Sequence, residues 1–145
     1  MNVVLPDAAA IVARLREAPG FRAVGGAADL ATAYAAPQPA VPAAYVVMQA
    51  ESGSANALAN DRVEQRVAVR FAVVIAARNV ADATGLAVAA EMVALRQAVM
   101  ELLLGWLPAW AIAGCEYVRG ALADFNAGLM WWQDEFSTEY LLRSE

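Results

Sequence analysis

The sequence predicts an α+β fold: a mostly antiparallel four-stranded sheet in β–β–α–β–β order, with an N-terminal helix and a long helix packed on one face. Three observations predict it. Residues 63–75 alternate, with Val63, Gln65, Val67, Val69, Phe71, Val73 and Ile75 on one side and Glu64, Arg66, Ala68, Arg70 and Ala72 on the other; period two over 13 residues is the pattern of a strand. Val88, Met92, Leu95, Val99, Leu102 and Trp106 then follow steps of 4, 3, 4, 3 and 4, which puts them on one stripe of a helix. The last stretch, Leu129 to about Arg143, alternates again, with Met130, Trp132, Phe136, Tyr140 and Leu142 in phase.

The remaining elements follow in chain order. Pro6-Asp7 opens the first helix with Asp7 as N-cap, and Pro19-Gly20 stops it. Phe21–Gly25 reads as a short edge strand and Ala27–Ala36 as a weak helix. The segment 37–42, with Pro37, Pro39 and Pro42, is a loop, since proline cannot serve a central strand. Residues 44–49 form a strand that pairs with 63–75 as a hairpin, and the small polar stretch 51–60 has the composition of a mobile loop at its tip. Asp82 is the expected N-cap of the long helix, and Gly105 with Pro108 closes it. Leu86, Val93, Met100, Leu103 and Leu104 widen the apolar face of that helix, so it is expected to bury two sides. Cys115–Leu122 is a strand, and Asp124–Gly128 has turn chemistry. A chain of 145 residues without internal repeats fits one domain.

Composition excludes more than it specifies. Hydrophobic residues make up 61%, against an ordinary share of roughly 45–50%. Much of the excess is Ala, yet more apolar surface remains than one small core needs, and self-association is the simplest outlet. A membrane span over 83–104 is rejected because Glu91, Arg96 and Glu101 would each cost up to about 2.5–3.5 kcal/mol at a bilayer centre. The first seven residues lack the basic and apolar regions of a signal peptide, so synthesis in the cytoplasm is expected. The net charge of −5, carried with ten Arg and no Lys, argues against a nucleic-acid reader, which needs a basic footprint.

Reaction chemistry finds no foothold. There is no His and no Lys to activate Ser52, Ser54, Ser137 or Ser144, and the lone Cys115 reads as a buried strand thiol. A metal cage of several thiolates or imidazoles is excluded by the residue count. Glu135 and Glu139 share a strand face but stand about 13 Å apart, too far for an acid–base pair needing roughly 5–9.5 Å. Asp134 falls on the opposite face among aromatics; Arg66 and Arg70, of this chain or a neighbour, are the expected partners of these carboxylates. Trp131-Trp132 places one indole on each side of the last strand, leaving two readings open: both covered by core and helix, or one anchoring a second subunit. A small ligand-binding domain using the aromatic strand as a pocket wall is the rival class, and it requires an enclosed cavity of about 300 Å³ or more.

The run Val69-Arg70-Phe71-Ala72-Val73-Val74-Ile75, then Arg78-Asn79, Leu95-Arg96, Leu103-Leu104-Gly105-Trp106-Leu107-Pro108 and Leu129–Tyr140, resembles the tail terminator proteins of long-tailed phages. The similarity covers residues 61–143, and the first 60 only in layout. It implies a small subunit without catalytic residues or cofactors that assembles into a hexameric ring. Such a ring caps the tail tube protein, ends its polymerisation, and offers a docking surface to the head–tail connector. It sits in the virion, touches no membrane, and lets DNA pass through its lumen without specific binding. Another tail or neck completion protein of the same fold is the alternative. The family supplies no transferable binding motif. The expected contacts with tube or neighbour are therefore a reading of this chain alone: Glu51, Ser52, Asn56, Asn60 and Arg62 around the hairpin tip, Arg66, Arg70 and Arg78 on the long strand, and Trp131, Glu135 and Glu139 on the last.

Overall fold

The computed structural model describes residues 3–79 and 85–144. Its elements run α1 (Ala8–Leu15), β1 (Ala23–Gly25), α2 (Ala27–Ala35), β2 (Ala43–Gly53), β3 (Glu64–Arg78), α3 (Leu86–Leu103), β4 (Ala113–Asn126) and β5 (Leu129–Arg143). The sheet has five strands in the order β1-β2-β3-β5-β4. The α+β class, the β2-β3-α3-β4-β5 succession and the antiparallel pairing match the sequence reading. The four-stranded description does not, because β1 joins as a parallel edge strand, Ala23 to Gly25 lying beside Ala43 to Tyr45.

The centre of the sheet is the ladder between β3 and β5, which runs from Glu64 opposite Arg143 to Arg78 opposite Leu129 without a shift of register. Its first half alternates as expected. From Phe71 to Ala77, however, every residue of β3 is buried, on both faces. One face packs Phe71, Val73, Ile75 and Phe136 against Ile11 and Leu15 of α1 and Val88, Met92, Leu95, Val99 and Leu103 of α3. The other packs Val74, Ala76, Tyr45 and Trp131 against Leu30 and Ala33 of α2. Helices therefore cover both faces: α1 and α3 share one, as predicted, and α2 takes the other. Its weak amphipathic pattern concealed this, because small alanines let α2 lie close to the sheet without a strong apolar stripe.

Local chemistry explains the element ends. The Asp7 carboxylate accepts the Ala9 N–H at 2.7 Å and starts α1. Gly105, with φ of 76°, ends α3 in the left-handed region, as expected for a residue just past a helix. Asp82, the expected cap of α3, lies outside the described residues. α3 buries one side in the subunit, not two: Leu86, Val93 and Leu104 remain exposed, and Leu103 replaces Leu102 at the buried end of the stripe. The turn chemistry expected over 124–128 contracts to Ala127-Gly128, both at positive φ, the signature of a two-residue hairpin. Asp124, Phe125 and Asn126 belong to β4 instead. No helix among the described residues is long and apolar enough to cross a membrane.

Phe71 and Phe136 stack across the central ladder with ring centroids 5.5 Å apart, and both are fully buried. Phe136→Ala should cost about 3–5 kcal/mol, read as a lower urea midpoint with an unchanged denaturant slope.

Candidate assembly site

The half of the sheet that α2 leaves bare carries a field of charged side chains. Register places Arg66, Arg70, Arg119, Glu135 and Glu139 on this face, with Ala68 opposite Glu139, Ala72 opposite Glu135 and Arg119 opposite Glu135. Arg66 pairs with Glu139 at 3.5 Å, as the sequence led us to expect. Glu135 is held by Arg119, a residue sequence reasoning passed over, with Arg70 adding a weaker attraction. The bond from Arg119 lowers the Glu135 carboxyl below the usual carboxylate range against the opposing effect of burial.

The hairpin tip is more ordered than its composition implied. Glu51 and Ser52 are strand residues of β2, opposite Val69 and Ala68. Burial, reinforced by the Glu51 carboxylate, pushes the Tyr140 phenol up to about 12. Asn56 clasps the tip: its carboxamide oxygen accepts from Leu58 N at 3.2 Å and Glu64 N at 2.8 Å, and its nitrogen donates to Arg62 O at 2.9 Å. Asn60 accepts the Arg62 N–H at 2.9 Å. The expected contacts at positions 51, 52, 56, 60 and 62 thus gather at one end of the sheet. Arg78 does not join them; it sits at the far end of β3, twelve residues or about 40 Å from Arg66.

Trp131 is only 4% exposed, buried beneath α2 with the Tyr34 ring 5.2 Å from its own. The Tyr34 hydroxyl also donates to Asp124 at 2.8 Å, so this one side chain ties α2 to β4 and β5. Trp131 is therefore occupied within its own subunit. Replacing it with Ala would disturb the core before it reported on any contact between copies.

A second site lies under α3. Asp134 is fully buried and accepts from Arg96 Nε at 2.9 Å, Arg96 Nη2 at 3.0 Å, Trp132 Nε1 at 2.9 Å and Tyr117 Oη at 3.3 Å. The Arg96 guanidinium also lies over the Trp132 ring, 4.6 Å from its centre. Gly120 makes room for this cluster: a Cβ there would stand 2.4 Å from Asp134 Oδ1 and 2.5 Å from Tyr117 Oη. The sequence placed Asp134 correctly among aromatics but named Arg66 and Arg70 as partners. Arg96 of α3 is the true partner. Its bond to Asp134 raises its own pKa and keeps it charged.

Neither site carries a nucleophile. Cys115 is 2% exposed, and burial pushes its thiol up to about 11. Among the described residues no group of three or more His, Cys, Asp or Glu is placed to hold a metal ion.

Asp134→Asn keeps the shape but removes the charge that Arg96 faces. It should destabilise by about 3 kcal/mol, the lower end for breaking a buried pair because Arg96 is partly exposed; a thermal melt reads this. The Glu135 pair makes a pH prediction. Its folded pKa is lowered, so its stabilisation is present above the ordinary carboxylate range and lost as pH falls through the lowered value. Arg119→Ala should be less stable than wild type at neutral pH, with the two melting curves converging in acid.

A model of the phage tail terminator protein family matches residues 1–145. Among solved structures, a chain from the virion of a native gene transfer agent particle is similar, with a TM-score of 0.47 and 16% identity over 92% of this chain and 85% of that one. No curated protein matches the chain in sequence. The family match spans every residue discussed above, and the chain belongs to the phage tail terminator proteins.

Proposed function

We propose that this structural, non-enzymatic tail protein works as a closed ring of six copies at the head-proximal end of the tail, with residues 1–145 acting as a single domain. The ring caps the last layer of tube protein, ends its polymerisation, and presents its other side to the head–tail connector. The observation that carries this reading is the family match over the whole chain. The geometry supports it in two ways. First, charged residues at one end of the sheet and apolar residues on α3 and β4 stay exposed on one subunit, which suits the unlike surfaces of a head-to-tail ring. Second, six copies at −5 each give about −30, so a lumen of this charge repels the DNA phosphate backbone and lets it pass without being held.

In this reading the tip clasped by Asn56 and Asn60, together with Arg62, touches the tube. Arg66, Arg70 and Glu139 on the bare sheet face extend that contact. Replacing residues 56–62 with a Gly-Ser stretch of the same length removes these groups far from the core. The variant should keep wild-type circular dichroism and lose little thermal stability. In electron micrographs, tails assembled with it should run to uncontrolled length, while wild-type protein restores a fixed length. Tails of normal length with the variant would remove the tip from the contact, and tube ends left bare by wild-type protein would overturn the proposed role.

A further inference from the structure

The sheet ends in two unlike flanks. On one, β4 pairs with no strand but β5, and its outer edge is open beyond Cys115, whose backbone is bonded to Gly105 and Trp106. α3 runs beside it and is tied to it at three points: Gly85 against the Phe125 ring, Arg96 through Asp134 to Tyr117, and Leu104 bridged to Cys115. Between the ties, Val93 is 54% exposed, Leu122 52% and Phe125 41%. Beside them Val93, Arg96, Gln97, Met100 and Glu101 line a shallow depression of about 280 Å³. Arg96 and Arg119 on this flank are committed to Asp134 and Glu135. Glu101 and Glu116 are exposed and belong to no ion pair among the described residues, so the flank is apolar with an acidic surplus.

The other flank has the opposite character. β1 pairs only with β2, and its outer side lines an open cleft of about 710 Å³ between the segment that follows α1 and helix α2. Arg16 and Arg22 line this cleft, both exposed and both outside every ion pair among the described residues. Its acid, Asp29, accepts the Gly26 N–H that starts α2. Phe21 and Val24 add apolar surface.

From this complementarity, and resting on the ring reading above, we infer that the α3–β4 flank of one copy docks into the α1–β1–α2 cleft of the next, with Glu101 and Glu116 facing Arg16 and Arg22. A face-to-face arrangement would set acidic flank against acidic flank, which costs free energy and cannot propagate round a ring. Register irregularities interrupt β4 at Ala113/Glu116, Tyr117/Arg119 and Leu122/Asp124. Such bulges blunt an edge against simple strand addition, so side chains rather than a continued ladder make the contact.

A charge exchange tests it on rings formed at tube ends and imaged by electron microscopy. Arg22→Glu and Glu116→Arg, each with a wild-type thermal melt, should each abolish rings, and the double variant should restore them. A cross-link gives a second readout: a mixture of Arg22→Cys and Glu116→Cys proteins should form a mixed disulfide dimer in preference to either homodimer. Cys115 is buried and stays silent in this assay. Rings that survive both single exchanges, a double variant no better than the singles, or a preferred Glu116→Cys homodimer would each overturn the docking while leaving tail termination standing. Wild-type protein that forms no rings and leaves tube ends bare would instead overturn the functional reading beneath it.

Discussion

The constraint on which the fold rests is that β3 is apolar on both faces through Phe71–Ala77. A strand of that kind cannot lie against water on either side, so a single helical layer does not suffice. α1 and α3 close one face and α2 closes the other. Burying each large side chain from water contributes about 1.5–3 kcal/mol, as an upper estimate. The other features follow from this strand. β5 pairs along its full length, and β2 and β4 take the flanks that remain. The half of β3 with alternating residues is free to keep charged side chains outward, which is why the bare, ion-paired face occurs at that end of the sheet.

Hydrophobic covering is non-directional and does not fix the angle at which α3 crosses the sheet. The Arg96–Asp134 pair supplies direction. A carboxylate with no access to water is tolerable only when its lone pairs are filled, and here Arg96, Trp132 and Tyr117 fill them from α3, β5 and β4. The cluster therefore holds three elements to one arrangement, and Gly120 permits it by having no side chain to place there. Tyr34 acts similarly on the opposite face, resting on Trp131 while its hydroxyl reaches Asp124. Each face thus combines a hydrophobic layer with one directional polar tie.

The parts of this architecture that were legible from sequence are those set by period and by local chemistry. The alternation of β3 as far as Arg70, the phase of β5, the stripe of α3 from Val88 to Val99, the Asp7 cap and the Gly105 stop depend on neighbours within a few residues, and these stand where the pattern put them. Two of the misses depend on residues distant in the chain. Arg96 and Asp134 are 38 positions apart, and no local pattern pairs them. Tyr34 covers Trp131 from 97 positions away, which turned an apparent surface anchor into core. The tip read as mobile because Asn and Ser are common in disordered loops; the same residues close a hairpin when their side chains return to the backbone, as Asn56 does. The edge strand read over Phe21–Gly25 stands as β1, but the four-stranded description left it out of the sheet, since three residues are too few to show a period.

The apolar surplus noted in the composition now has a location. Some of it lies elsewhere, at Val4, Leu5, Tyr34, Leu107 and Ile112, but part is gathered: Val93 is exposed on α3, and Tyr117, Leu122 and Phe125 on the neighbouring edge strand. A scattered surplus would be the ordinary condition of a monomer surface, whereas a gathered one beside an unpaired strand edge calls for a cover. The cover must also accommodate acidic groups. Charge repulsion disfavours face-to-face association of such flanks, and in the docking inferred above the basic cleft on the opposite side covers the apolar residues. An interface built from two different surfaces of one chain repeats by rotation, and a ring follows when that rotation closes. On the ring proposed above, acidic composition and gathered apolar surface are in this sense one property, that of a subunit completed by its copies.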